Sequence, residues 1–255
     1  PNIDDHHNTA LDFDPELPAA QSPTAYLAQV MEGECEKRER EYLTAMANKP
    51  NDASSRVLYA QLLCVLQRMD EGLMQGRLAF ELDPLNPVNK IMYTAVLYWA
   101  GDCKTALDLA EEVLATDPQS YLAHACVQVV AYPCEEHEKL IHAEKYFLRM
   151  YQVEEEDIQE IDRIFKEHGV IKAYKKILNH LEEVSENYLI SPLDMAYRYI
   201  HGNQPDRAME WLEKGYELHD PAMTYITVGQ TFTTLFDNPR FIEIVEKMNL
   251  PLPKK

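Results

Sequence analysis

The stretches Lys49-Pro50-Asn51-Asp52, Asp83-Pro84-Leu85-Asn86 and Asp117-Pro118-Gln119-Ser120 put a proline in a polar turn every 34 residues. Proline lacks the amide hydrogen that a helix needs and crowds the preceding turn, so each one marks a helix end. A period of 34 residues is that of a helix-turn-helix unit, which cannot bury its apolar face alone and stacks on its neighbours. The expected fold is all-α. It is a right-handed α-α superhelix of about six helix pairs, ended by a helical cap that covers the last apolar face.

Working outward, helical apolar spacing predicts Ser55 to Leu66 and Gly72 to Leu82 as one pair, with a turn around Met69-Asp70-Glu71. The next pair is Val88 to Ala100 and Cys103 to Ala115, joined at Gly101-Asp102. A weaker unit precedes them from Thr24, with Cys35 to Asn48 as its second helix. An irregular fourth unit runs from Gln119 to Ala131 and from Lys139 to Tyr151. A fifth pair is Glu156 to Glu167 and Val170 to Val184. The sixth starts at Ser191-Pro192, with proline in the first turn, and turns at Gly202-Asn203-Gln204-Pro205-Asp206. Residues 1–22 read as an extended arm, 23–219 as the solenoid, and 220–255 as a cap with two short helices, a final helix from Arg240 to Met248 and an extended tail.

Gly101-Asp102-Cys103-Lys104-Thr105-Ala106-Leu107-Asp108-Leu109-Ala110 and Arg207-Ala208-Met209-Glu210-Trp211-Leu212 resemble the second helix of tetratricopeptide repeats. Ala106 and Ala208 fill the small position where two helix backbones approach. The C-terminal run is similar to the end of repeat domains in bacterial signalling proteins. It comprises Asp194-Met195-Ala196-Tyr197 through Trp211-Leu212-Glu213-Lys214, then His219-Asp220-Pro221 and Phe236 to Phe241. The resemblance implies a protein-interaction scaffold, or alternatively a regulatory module of a larger signalling protein of the transcriptional-regulator, cyclase or kinase type. It also implies that the chain is not an enzyme.

The bulk properties narrow the partners. With 43 acidic and 24 basic residues the net charge is -19, which repels nucleic acid and anionic lipid and suits a protein or peptide with basic flanks. No apolar stretch is long enough to span a membrane. Five cysteines without a framework spacing point to free thiols and a cytoplasmic setting. The chain starts at Pro1 rather than Met, and the periplasm is the alternative if an upstream anchor was removed.

No phosphate-binding, dinucleotide, HExxH or GxSxG motif occurs, so neither a catalytic residue nor a cofactor is expected. His124, Cys126, Cys134, His137 and His142 include one CxxH separation but no second tight pair. They are read as buried or surface residues rather than a zinc site. In tetratricopeptide folds the first helix of each pair lines the concave face. The resemblance therefore assigns a partner groove to Val57, Gln61, Cys64, Ile91, Ala95, Tyr98, Trp99, Ala125, Val129 and Tyr132. The alternative for Tyr98, Trp99 and Tyr132 is packing between repeats. None of these positions is cationic, so an acidic chaperone tail would be desolvated there without a partner.

Overall fold

The computed structural model describes residues 35–185 and 188–253. The first helix of the first unit and the N-terminal arm lie outside the described residues. The described residues form twelve α-helices and no strand. In chain order these are α1 (Cys35–Asn48), α2 (Ala53–Val65), α3 (Met69–Leu82), α4 (Pro87–Trp99), α5 (Cys103–Thr116) and α6 (Tyr121–Ala131). They continue as α7 (His137–Met150), α8 (Glu155–His168), α9 (Val170–Val184), α10 (Pro192–His201), α11 (Pro205–Glu217) and α12 (Pro239–Lys247). Two short 3₁₀ turns, Pro221–Tyr225 and Thr233–Leu235, sit between α11 and α12.

The period is kept in three dimensions. The helices α2, α4, α6 and α8 begin at 53, 87, 121 and 155, each 34 residues after the last. Their partners α3, α5 and α7 begin at 69, 103 and 137, with the same interval. The fourth unit therefore holds its register despite its irregular sequence. Each repeating proline stands two residues before a helix cap: Asp52, Asn86 and Ser120 accept the backbone N–H groups of Ser54 and Ser55, of Val88 and Asn89, and of Ala123. Those amides have no partner inside the helix, and such a cap is typically worth about 1 kcal/mol.

The turns between α2 and α3, α4 and α5, α6 and α7, and α10 and α11 share one geometry. Gln67, Gly101, Glu135 and Asn203 all take a positive φ. After each, an amide closes back onto the preceding helix: Arg68 onto Leu63, Asp102 onto Leu97, Glu136 onto Ala131 and Gln204 onto Tyr199. This is the left-handed close that satisfies the last carbonyls of a helix. It also moves one boundary. Met69, Asp70 and Glu71, expected as a turn, are the first turn of α3, because the reversal is complete at Gln67 and Arg68.

Ala106 and Ala208 have no exposed surface. The cysteine expectation fails at one pair: Cys103, the first residue of α5, is bonded to Cys134 in the loop after α6, with Cα atoms 6.0 Å apart. The repeat brings the start of α5 beside that loop, a proximity that chain spacing does not disclose. Cys64 and Cys126 are free thiols, and burial pushes both up to about 12, away from nucleophilic chemistry. Closing a 31-residue separation restricts the unfolded chain by about 3–4 kcal/mol. Reduction, or the double variant Cys103→Ala/Cys134→Ala, is expected to lower the denaturant midpoint accordingly. An unchanged midpoint would show that the bond does not hold the third and fourth units together.

Candidate functional site

The helices α2 and α4 carry a second stretch of the same chain. After α11, residues 221–236 turn back across the first helices of the earlier pairs. Tyr225 donates its hydroxyl to Gln61 Oε1 at 3.0 Å, and its ring stacks on Trp99 at 5.1 Å. Gln67 donates to the Thr227 carbonyl at 3.2 Å. The Tyr98 hydroxyl accepts the Gln230 N–H at 2.9 Å and meets Thr231 Oγ1 at 3.0 Å. Phe232 stacks on Tyr197 of α10 at 4.9 Å. Met223, Ile226, Val228, Phe232 and Leu235 are buried by this return.

Gly229 fits here because φ is +76° and there is no room for a side chain. A Cβ would lie 2.7 Å from the Tyr98 ring and 3.1 Å from Trp99. Asp220 fastens the start of the return, accepting from Ser191 Oγ at 2.6 Å and from the Ala222 amide at 3.0 Å.

The expected groove residues divide accordingly. Val57, Gln61, Cys64, Ile91 and Tyr98 are buried. Gln61 also reaches across to the Met92 carbonyl at 3.2 Å. Ala95, Trp99, Ala125, Val129 and Tyr132 keep partial exposure. Tyr132 lines a cleft of about 370 Å³ with Pro133, Ile200, Asn203, Pro205, Gln230, Thr231, Thr233 and Thr234. Of the five residues weighed as zinc ligands, His124 and His142 lie near each other, with ring centroids 6.2 Å apart. Cys134 is in the disulfide, and His124 stacks on Tyr146 at 3.9 Å and pairs with the Pro118 carbonyl. No group of three potential ligands is assembled among the described residues, and none of the described helices is long and apolar enough to cross a membrane.

Sequence reasoning missed a buried polar network behind Tyr132. Glu144 of α7, with no exposed surface, accepts from Gln128 of α6 at 2.8 Å, Tyr174 of α9 at 2.9 Å and Arg198 of α10 at 3.0 Å. The Arg198 guanidinium also lies over the Phe147 ring at 5.2 Å. Since Tyr174 donates to Glu144, His201 Nδ1 must donate to the Tyr174 oxygen, 3.0 Å away. Its Nε2 has no hydrogen-bond partner among the described residues. Tyr132 covers the imidazole face to face at 4.2 Å.

Burial, then the positive charge of Arg198, holds His201 well below the ordinary histidine range. Asp194, partly exposed at its edge, is pushed up to about 6 by loss of hydration, against the pull of Arg198.

These features define a tetratricopeptide-like helical-repeat protein. No family model matches the sequence, and no match to a curated protein was found. Among solved structures the chain is similar to the MamA protein, known from a crystal structure. The identity is 14%, the match covers 80% of this chain and 96% of that one, and the TM-score is 0.41. The assignment of the solenoid rests on the helix order and period.

Two predictions follow from this packing. Gly229→Ala sets a methyl group against Tyr98 in a left-handed conformation, so a loss of roughly 2–4 kcal/mol is expected in denaturant unfolding. A neutral result would mean that the return segment is not seated as described. The second concerns pH. The unfolded chain protonates His201 near pH 6.5 and the folded one only far below it, so that stability is complete above about 6.5 and is lost as the pH falls. Asp194 works the other way: its burial costs stability above about pH 6 and relaxes toward 4. Between pH 7.5 and 5.5 the melting temperature of the native protein should therefore drop more than that of His201→Asn. Parallel curves would remove His201 as an acid-sensitive group.

Proposed function

We propose that this chain is a protein-interaction scaffold, without catalytic chemistry of its own, that holds a peptide or helical segment on its concave face. The observation that carries the reading is the concave face itself. Three of its expected residues, Gln61, Tyr98 and Trp99, already hold a polypeptide, the return segment, through aromatic stacking and hydrogen bonds. The partly exposed residues Ala95, Trp99, Ala125, Val129 and Tyr132 continue that surface. The net charge of -19 favours a partner with basic flanks, steered by long-range attraction. An oxidising compartment such as the periplasm suits the Cys103–Cys134 bond better than the cytoplasm.

The second reading is a regulatory module of a larger bacterial signalling protein. The filled inner groove favours it in one respect, since a solenoid gripping its own chain can relay force between its ends. The two are separated by photo-crosslinking in the native host. A photoreactive amino acid at Ala125 should trap one discrete partner, and the same probe at exposed Lys104 on α5 should not. Trapping only from Lys104, or none from Ala125, would remove the concave face as the docking surface.

A further inference from the structure

The cleft beside Tyr132 differs from the rest of this acidic surface. None of the nine residues lining it carries a charge, on a chain with 67 charged side chains (43 acidic plus 24 basic). One wall is the loop after α6, with Tyr132 and Pro133. The second is the turn between α10 and α11, with Asn203. The third is the chain's own return segment, at Gln230 and Thr234.

Tyr132 is held in place by its stack on His201. Its hydroxyl, the side-chain amides of Asn203 and Gln230, and the hydroxyl of Thr234 make no hydrogen bond to the described residues. The cleft thus offers a fixed aromatic ring and proline faces beside four neutral donor-acceptor groups. A charged ligand would lose its hydration there without a compensating partner.

The neighbouring part of the face shows what such groups hold. Gln67 grips the Thr227 carbonyl, and the Tyr98 hydroxyl takes the Gln230 amide, while Trp99 stacks on Tyr225. An amide, a phenol and an aromatic ring together hold an irregular stretch of chain there, one of turns and short 3₁₀ pieces. The cleft begins where that backbone leaves, and it repeats the same three chemistries unpaired. We propose that it is a binding site for an irregular, uncharged stretch of another polypeptide, read through its main-chain amides with an apolar or proline side chain against Tyr132. This rests on the protein-binding reading and adds the place and the ligand chemistry. The return segment becomes part of the receptor, so the site exists only in the closed chain.

The test uses the full oxidised chain and a displayed library of random ten-residue peptides. Selected peptides should share an uncharged core. Their affinity, measured by titration with purified protein, should fall at least tenfold in Asn203→Gly, which keeps the left-handed backbone there, and in Thr234→Asp. Both changes lie at the rim rather than in the core, and melting curves will show both variants folded. Lys104→Ala should bind as the native chain does. Peptides that bind all variants alike, or that carry charged cores, would overturn the cleft while leaving a scaffold role in place. Failure to select any peptide would also overturn it, and the crosslink from Ala125 would then decide the scaffold reading separately. Tighter binding of a neutral oligosaccharide, maltohexaose, with the same sensitivity to Thr234→Asp would overturn the polypeptide assignment.

Discussion

The carboxylate of Glu144 is the interaction on which the second half of the molecule turns. In a simple solenoid each unit touches only the next. Glu144 belongs to the fourth unit, yet it is bonded at once to α9 of the fifth and α10 of the sixth, 54 residues away. A buried carboxylate is tolerable only with its partners in place; removing one from such a pair typically costs about 3–5 kcal/mol. The three units are consequently held in one fixed arrangement. That arrangement sets Tyr132 over His201, and with it one wall of the cleft.

The other constraint is the return of residues 221–236. A terminal cap must cover the apolar face of the last pair, and α12, with buried Phe241, Ile244 and Val245, is suited to that. The segment between α11 and α12 does more. It links α2, α4 and α10 through Tyr225, Thr231 and Phe232, so that the two ends of the repeat array share a core. What remains open on the inner face is the part that this segment does not reach.

The sequence displayed the fold and hid the site for physical reasons. Proline spacing and helical periodicity are local signals, and they set the period to which the helix starts conform. Ala106 was legible because close backbone approach demands a small side chain at one position. Long-range pairings have no such local mark. Cys103 and Cys134 meet only because of how the units stack, and Gly229 is explained only by the Tyr98 ring above it. Glu144 did leave a trace. It falls on the apolar stripe of α7, four residues after Leu140 and three before Phe147, where a solvated residue would not stand. An acid on a buried helix face requires a cation elsewhere, and Arg198 is a fully buried arginine on α10. For the inner positions the sequence leaves a groove and packing between repeats both open, and no local rule announces that the chain itself comes back to cover Tyr98 and Trp99.

The return also sets an order of events at the ribosome. Gln61 and Tyr225 are 164 residues apart, and Tyr98 and Thr231 are 133 apart. A repeat array made of neighbour contacts can settle unit by unit as it emerges, but here the early units lack their inner covering until the segment after α11 has been made. At about 5–20 residues per second, the aromatic surface of Tyr98 and Trp99 waits roughly 7–27 s for its cover. Closing so long a loop also slows folding relative to an array of local contacts. For that interval the nascent protein displays an apolar groove that the finished one does not, and it is then most exposed to the wrong partner.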